Sequence, residues 1–227
     1  MVASLLDREI YSYGDVDRLV GLHPGTARRW LDGYSRGDRF YEPVLREQTT
    51  GSDAVTWGEM VEARLLAEFR SKKVSLQRLR PAIIRLREEF GPYPLAHARP
   101  FLDVEGRELV RNVQDSVGLD EKLYLVVVRN NQTMITEATD RFQSSVKYNQ
   151  SGFVQSLRPE RRTPAVVMDP ARTFGQPMIR NVRTDVLAED FRAGTSREEI
   201  AELYDLTAEQ VDEALRFELI TRSDHAA

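Results

Sequence analysis

Near the beginning of the chain, residues 13–31 contain two short segments with helical periodicity, separated by a tight turn. The first runs from Asp15 to Val20, and Gly21 after it can adopt the positive φ with which many helices end. The second shows the i, i+3, i+4 spacing of one buried face, at Ala27, Trp30 and Leu31. Pro24 suits the first position of this second helix, which makes His23 its N-cap. The pattern predicts a helix-turn-helix, with an ordinary helical hairpin as the alternative.

The same spacing places the polar side chains of the second helix on its solvent face. Among them is an arginine pair, Arg28 and Arg29. Arginine offers a bidentate fork to guanine and a charge to phosphate, as a helix in the major groove requires. Two glycines and alternating aromatic residues over 33–41 then predict a turn or short hairpin with two arginines near its tip. The residues predicted to contact DNA here are His23, Thr26, Arg28, Arg29, Arg36 and Arg39.

Two longer helices are predicted to follow in the N-terminal region. A capping box at Thr56–Glu59 begins the first, which runs to about Arg70. The second carries an apolar stripe from Leu76 to Phe90. Pro81 lies inside this stripe and predicts either a bend or a true start near Arg80.

The charge of this region is strongly basic. From Arg70 to Arg87 there are seven Lys or Arg and no Asp or Glu. Each phosphate contact adds salt-dependent affinity through counterion release, so Lys72 and Lys73 join the predicted DNA-binding residues. A basic face that only promotes solubility is the alternative interpretation of the helix after Ser75.

Between residues 98 and 163 the runs of apolar residues are shorter, which favours strands over helices. Phe101–Asp103 and Glu108–Val110 around Gly106 predict a hairpin, and Leu123–Val128 predicts a buried strand. Further strand candidates are 145–148, 153–157 and 165–168. We therefore interpret this middle as a short, β-rich connecting region.

The last part of the chain is predicted to be helical. Asp185–Ala193 forms one helix, and capping boxes at Ser196–Glu199 and Thr207–Gln210 begin two more. The predicted fold class is thus α+β, with an N-terminal winged helix-turn-helix domain over 1–97, the β-rich region over 98–163 and a three-helix, helix-turn-helix-like domain over 164–227. From Asp185 to Glu218 there are eleven acids against three Arg, so we do not expect this tail to read DNA.

Composition narrows the class of protein. The chain has 227 residues, 41% of them hydrophobic, and a net charge of only −4. It has no cysteine, which excludes disulfides and thiolate chemistry and fits the cytoplasm. No stretch approaches the roughly 20 apolar residues of a membrane span, and no hydrophobic signal core is expected at the start.

Catalytic motifs are missing from the sequence. It contains no phosphate-binding loop, no dinucleotide-binding glycine pattern and no nucleophile elbow, and its three histidines lack metal-ligand spacing. A metal-dependent nuclease would need converging carboxylates, and the tail offers Glu198, Glu199, Glu202, Asp205 and Glu209. We interpret these acids as a solvated face, and therefore expect no enzyme activity, no metal and no cofactor.

A first resemblance lies between residues 11 and 95. It is carried by Tyr13–Val16, Leu19–Leu22, Pro24–Trp30, Gly33–Tyr34 and Val74–Gln77. This segment resembles a MerR-type winged helix-turn-helix, which implies DNA binding with the hairpin as a wing. Asp17 stands where that family usually has a small residue, which predicts that the two helices pack slightly apart.

A second resemblance covers residues 166–217, which look like a small helical domain without a named function. The matching residues are Val167–Pro170, Gly175–Arg180, Arg183, Gly194–Ala201 and Tyr204–Leu215. Both domains in this order are similar to the long VapB-type antitoxins, which are paired with PIN-domain ribonuclease toxins. The resemblance implies a cytoplasmic homodimer that neutralises such a toxin and binds its own operator as a transcriptional autorepressor.

The surface that would contact the toxin is not marked by a matching motif. Because a ribonuclease active site is acidic, an arginine that reaches into it would bind strongly. The candidates are Arg158, Arg161 and Arg162, with a solvated linker as the alternative. A stand-alone MerR-like regulator with a C-terminal ligand or dimerisation module is the alternative for the whole chain.

Overall fold

The computed structural model describes residues 5–70 and 75–223 as an α+β protein. Lys72 and Lys73 lie outside the described residues. The N-terminal part consists of β1 (Glu9–Tyr11), α1 (Tyr13–Val20), α2 (Thr26–Asp32), β2 (Tyr34–Arg36), β3 (Arg39–Tyr41), β4 (Val55–Thr56), α3 (Trp57–Ala67) and α4 (Arg80–Phe90). Short 3₁₀ turns at Leu5–Asp7 and Leu76–Leu79 precede β1 and α4. Strand β1 pairs antiparallel with β4, and β2 pairs antiparallel with β3.

The middle and the tail alternate helices with small hairpins. The middle consists of α5 (Arg99–Leu102), α6 (Val104–Ser116), β5 (Val126–Arg129), β6 (Gln132–Ile135), α7 (Glu137–Gln143), β7 (Val146–Tyr148) and β8 (Val154–Leu157). The tail consists of β9 (Met178–Ile179), β10 (Val182–Arg183), α8 (Thr184–Arg192), α9 (Arg197–Leu203) and α10 (Ala208–Ser223). Antiparallel pairs form between β5 and β6, β7 and β8, and β9 and β10. None of the helices within the described ranges is long and apolar enough to span a membrane.

Helix α3 is the centre of the molecule, because every residue from Trp57 to Leu66 is buried. The predicted capping box starts it: the Thr56 amide donates to Glu59 Oε2 at 2.9 Å and the Glu59 amide donates to Thr56 Oγ1 at 3.2 Å. The Trp57 indole donates to the carbonyl of Val154 at 2.8 Å, which ties the helix to strand β8. A helix enclosed on all sides fixes the positions of the elements around it.

One buried apolar cluster runs from Leu6 to Phe217 and so includes all three parts of the chain. Contacts from the first strand reach the tail: Tyr11 Oη donates to the carbonyl of Gly175 at 2.7 Å, and Arg8 donates to the carbonyl of Pro170 at 2.7 Å. The helix-turn-helix and the tail are therefore packed into one core. The division into three domains stays a prediction.

The hairpin predicted over Phe101–Val110 is wrong, because α5 and α6 occupy this segment. Gly106 lies not in a turn but in α6, where it packs against Arg99, the first residue of α5. A Cβ atom there would stand 2.0 Å from the carbonyl oxygen of Arg99, so only glycine allows this approach. The middle is mixed α and β rather than β-rich.

Other expectations for the middle and the tail are met in part. The buried strand predicted over Leu123–Val128 begins only at Val126, because Glu121–Leu123 form a 3₁₀ turn, and Val128 is exposed. This strand pairs with Gln132–Ile135 across a turn in which Asn130 and Asn131 both adopt positive φ. The candidate at 165–168 forms only isolated bridges, at Val167 and Met168. Ser196 and Glu199 form the predicted capping box of α9. Thr207 and Gln210 exchange the corresponding hydrogen bonds before α10.

The basic helix begins at Arg80, as Pro81 predicts, but its charges are largely used inside the protein. Arg80 donates to the carbonyls of Pro43, Arg46 and Glu47. Arg87 donates to the carbonyl of Leu45 at 2.5 Å. The interpretation of this face as a DNA-binding surface is thus wrong for these two side chains, because they hold the segment over residues 43–47 against α4.

Glu62 is the least solvated carboxyl of α3, at 0% exposed. Its Oε1 accepts from the Leu95 amide at 3.1 Å, while Oε2 has no hydrogen-bond partner among the described residues. Burial raises the pKa of Glu62 to about 7, although the charge of Arg87 opposes this shift. The folded protein therefore retains a proton that the unfolded chain loses above its ordinary pKa of 4.5.

We expect Glu62 to reduce the free energy of unfolding as the pH rises from about 4.5 to about 7, by up to about 3 kcal/mol. Glu62→Gln should remove this part of the pH dependence and be more stable than the wild type at pH 8. Urea unfolding at pH 5 and pH 8 measures the difference. Glu105→Gln, at an exposed position of α6, is the control. Parallel pH profiles for wild type and Glu62→Gln would contradict the account.

Candidate nucleic-acid interface

The helix-turn-helix predicted at the start of the chain is present, with a later start of its second helix. Ser12 caps α1 through a capping box with Asp15, and Gly21 ends it with φ 67°. Helix α2 begins at Thr26, and Gly25 is its N-cap with φ 78°. His23 is therefore not the N-cap, and Pro24 is not the first helical residue, because both lie in the turn. His23 is exposed there.

Asp17 joins the two helices directly. Its side chain is only 2% exposed, and its two carboxylate oxygens accept from the amides of Gly25 at 2.6 Å and Ala27 at 2.7 Å. These amides are among the donors that the beginning of a helix leaves unpaired. The residue that departs from the MerR pattern thus caps α2 from α1, where Gly25 offers no side chain to do so. These two hydrogen bonds hold α2 at a fixed angle to α1.

The outward face of α2 carries the predicted cations. Arg28 and Arg29 are exposed, whereas Ala27, Trp30 and Leu31 are buried as the period predicts. The Arg29 guanidinium folds back on its own helix, donating to the carbonyl of Gly25 at 3.2 Å and to Thr26 Oγ1 at 3.1 Å. These bonds are exposed, so the side chain can exchange them for contacts to a ligand.

The predicted hairpin is present next to this helix, as strands β2 and β3. Tyr34 stacks on Tyr41 with ring centroids 4.9 Å apart, and the Arg39 guanidinium lies 5.0 Å from the centroid of the Tyr41 ring. Arg36 and Arg39 are exposed partners across the strand pair. The stacked tyrosines stiffen a hairpin that carries two cations at its tip.

Two neighbouring clefts bring the helix and the hairpin together. Thr26, Arg29 and Arg36 line one cleft, and Arg28 lines the other. Arg29 and Tyr34 belong to both. Four of the six residues predicted from the helix and the hairpin therefore line these two clefts, and Arg39 lies opposite Arg36 at the hairpin tip.

Sequence reasoning missed the arginine that supports this surface. Arg46, in the segment after the hairpin, donates to both carboxylate oxygens of Glu59 at 2.6 and 3.1 Å. It also donates to Tyr13 Oη at 3.1 Å and to the carbonyl of Ala54 at 2.6 Å. The pair is largely buried, so removing one partner would leave the other charge uncompensated. No local sequence pattern marks a lone arginine for this role.

The three arginines proposed for a toxin contact occupy different environments. Arg158 donates to the carbonyl of Ser144 at 2.9 Å, and Arg162 pairs with Glu160 at 3.2 Å. Arg158 and Arg161 line one cleft, which Arg141 also borders. Arg161 is exposed at its rim. The structure therefore brings two of the three candidates together.

Three of the five tail acids considered for a nuclease site, Glu198, Glu199 and Asp205, are engaged in local structure. Glu199 accepts from the amide and the hydroxyl of Ser196, and these bonds lower its pKa. Glu198 pairs with Arg197, and the Arg180 guanidinium pairs with Asp205 at 2.8 Å. Within residues 5–70 and 75–223, no three His, Asp or Glu side chains converge as a metal site would require.

The fold and this surface define the chain as a helix-turn-helix protein with a DNA-binding N-terminal domain. The family described as "Putative DNA-binding HTH domain" matches residues 9–83. The family described as "Protein of unknown function (DUF433)" matches residues 166–217. The two matches cover the two segments on which the sequence resemblances rest.

Relatives extend the similarity over the whole chain. "Uncharacterized protein Rv2308" of Mycobacterium tuberculosis is 38% identical over 226 residues, which cover 95% of this chain and 92% of the relative. The chain belongs to the family of that protein. "Putative antitoxin VapB45" of the same organism is 27% identical and covers 92% of this chain and 93% of its own length. The chain is thus an antitoxin-like helix-turn-helix protein.

A solved structure has the same fold. The X-ray crystal structure of Rv2018 from Mycobacterium tuberculosis superposes with a TM-score of 0.74 at 26% sequence identity. The match covers 92% of this chain and 99% of that chain. The arrangement of helix-turn-helix, middle and tail is therefore shared along nearly the full length.

The bond from Asp17 to α2 gives a direct test of how the site is built. Asp17→Ala should lower the free energy of unfolding by about 1–2 kcal/mol, because two amides lose their acceptor. Asp17→Asn retains one acceptor oxygen and should lose less. Urea unfolding measures both, with Asp38→Ala at the exposed hairpin turn as the control. Equal stability of Asp17→Ala and the wild type would rule out the capping role.

Proposed function

We propose that this chain is a DNA-binding antitoxin that neutralises a PIN-domain ribonuclease toxin and represses its own operon. The proposal rests on the combination of two features in one chain. The helix-turn-helix exposes an arginine pair, and the chain is similar over nearly its full length to a protein named as an antitoxin. The first feature supports contact with operator DNA, and the second supports a toxin partner. Both partners lie in the cytoplasm.

The DNA surface is built from α2 and the hairpin. Helix α2 is proposed to enter the major groove, with Arg28 and Arg29 at base edges and His23 and Thr26 beside them. The hairpin serves as a wing of the MerR type, whose Arg36 and Arg39 contact phosphate, and Lys72 and Lys73 add further phosphate contacts. A homodimer presents two such helices to the two half-sites of a palindromic operator.

The toxin surface is separate from the DNA surface. A ribonuclease holds a polyanion on a basic surface and cleaves it with acidic residues, so a neutralising partner needs both signs of charge. The cleft of Arg158 and Arg161, with Arg162 beside it, supplies cations for the acidic centre. The three-helix tail supplies acids for the basic surface around it. This division of charge agrees with the VapB-type pairing that the resemblance implies.

Replacement of the arginine pair tests the DNA half of the proposal. Arg28→Ala with Arg29→Ala should weaken binding to the chain's own upstream DNA by about 2–6 kcal/mol, since each base contact is worth about 1–3 kcal/mol. Titration of labelled operator at fixed salt measures the loss. Arg85→Ala, at an exposed position of α4 paired with Glu88, is the matched control. Unchanged operator affinity in the double variant would show that α2 is not the reader.

Co-expression with the toxin of the neighbouring reading frame tests the other half. The wild-type chain should restore growth and suppress RNA cleavage. The Arg28 and Arg29 double variant should do so equally well, because the surfaces are separate. Arg161→Glu should weaken toxin binding about 10- to 100-fold, as expected for loss of a charged hydrogen bond. A wild-type chain that forms only homo-oligomers and leaves cleavage unchanged would instead favour the stand-alone regulator.

A further inference from the structure

Phe40 is an aromatic side chain of the β2–β3 hairpin that is 46% exposed. It pairs with Ser35 across the two strands. Successive side chains of a strand point to opposite faces, so Phe40 lies on the face opposite to Arg39 and Tyr41. The stacked tyrosines and the Arg39 guanidinium form that other face. The hairpin therefore has one cationic face and one apolar face.

The Phe40 ring is positioned by Gly33, the residue between α2 and the hairpin. Gly33 has φ 76°, and a Cβ atom there would lie 2.8 Å from Phe40 Cζ and 2.5 Å from the carbonyl oxygen of Tyr41. Only glycine combines this backbone conformation with so close an approach. Phe40 also lines the cleft that Arg28 and Arg29 line. One part of the ring is thus packed at the end of α2, and the exposed part belongs to the surface of the arginine pair.

The surroundings of the Phe40 ring are cationic. Residues 25–41 carry two acids and four arginines, Arg28, Arg29, Arg36 and Arg39. None of the four arginines forms a salt bridge to a carboxylate of the described residues. Of the acids, Asp32 is engaged, because its Oδ1 accepts from the amides of Thr50 at 2.7 Å and Gly51 at 3.2 Å, and Asp38 stands exposed in the hairpin turn. An apolar ring among unpaired arginines fits a polyanion that also offers an apolar group.

The major groove of DNA offers such a group, the C5-methyl of thymine, and phenylalanine is among the side chains that contact it. Arg28 lines the same cleft as Phe40 and is proposed to reach a guanine edge. A ring beside that guanidinium can therefore reach a neighbouring base pair. Contact between ring and methyl removes both apolar surfaces from water, which a base without the methyl group does not reproduce.

We infer that Phe40 reads a thymine methyl group in the operator half-site, beside the guanine that Arg28 contacts. The inference rests on the proposed function and names a further residue that determines the sequence bound by the same surface. The cationic face of the hairpin holds the phosphate backbone, and the apolar face is turned to the bases. The half-site is thus specified by a guanine and an adjacent thymine.

Replacement of single thymines by deoxyuridine tests the inference, because it removes the methyl group and leaves base pairing unchanged. The chain's own upstream DNA, synthesised with one such change at a time across the bound site, is titrated with the wild-type chain at fixed salt. Deoxyuridine at one thymine of a half-site should raise the Kd about 3- to 5-fold, as expected for one methyl group returned to water. The other thymines should be replaceable without loss.

Variants of Phe40 assign the effect to the ring. Phe40→Ser should bind the thymine DNA more weakly than the wild type and should no longer distinguish thymine from deoxyuridine at this position. Phe40→Leu keeps an apolar side chain and should retain the preference for thymine. Val128→Ser is the matched control, because Val128 is a 45% exposed strand residue of another hairpin. It should keep both the affinity and the preference of the wild type.

Two results would overturn the inference and leave the proposed DNA binding intact. One is a wild-type chain that binds the thymine DNA and every deoxyuridine DNA equally well. The other is a Phe40→Ser variant that keeps the full preference for thymine. The deoxyuridine titration of the wild type decides the matter even where Phe40→Ser lowers the stability of the hairpin. If the wild-type chain does not bind its upstream DNA, the proposed function fails and the inference fails with it.

Discussion

The complete burial of helix α3 is the constraint on which the rest of the structure depends. Its Thr56–Glu59 capping box starts the helix, and the same Glu59 carboxylate accepts from Arg46, which positions the segment that follows the hairpin. Trp57 binds the middle of the chain, and Glu68 at the other end binds Arg141 at 2.7 Å. Because so many partners converge on one helix, the helix-turn-helix cannot be separated from the middle without exposing that helix to water.

Because the core is shared, the helix-turn-helix, the middle and the tail are not structurally independent of one another. Arg8 and Tyr11 stand just before the helix-turn-helix, and both bind the backbone of the tail. Tyr11 in particular lies between Trp57 of helix α3 and Gly175 of the tail. The proposed DNA-binding surface and the proposed toxin-binding surface are thus carried on one core. Such coupling would allow a bound toxin to alter the stability of the DNA-binding part without direct contact.

Periodic features were predictable from the sequence, and contacts between distant residues were not. The buried face of α2, the capping boxes and the start of α4 at Arg80 all follow from local spacing. The capping of α2 by Asp17 joins residues up to ten positions apart, so no local pattern marks it. Gly106 looks like a turn residue because a turn and a close helix approach both need glycine. The basic composition of residues 70–87 does not reveal that two of its arginines, Arg80 and Arg87, bind backbone carbonyls.

The central claim is that one chain holds operator DNA and a toxin at the same time, on separate surfaces of one core. Native mass spectrometry of the chain mixed with its operator and the toxin of the neighbouring reading frame tests this most directly. The account predicts a ternary complex whose mass is the sum of DNA, chain and toxin. Observation of the chain alone, or of DNA and toxin complexes that exclude each other, would contradict it.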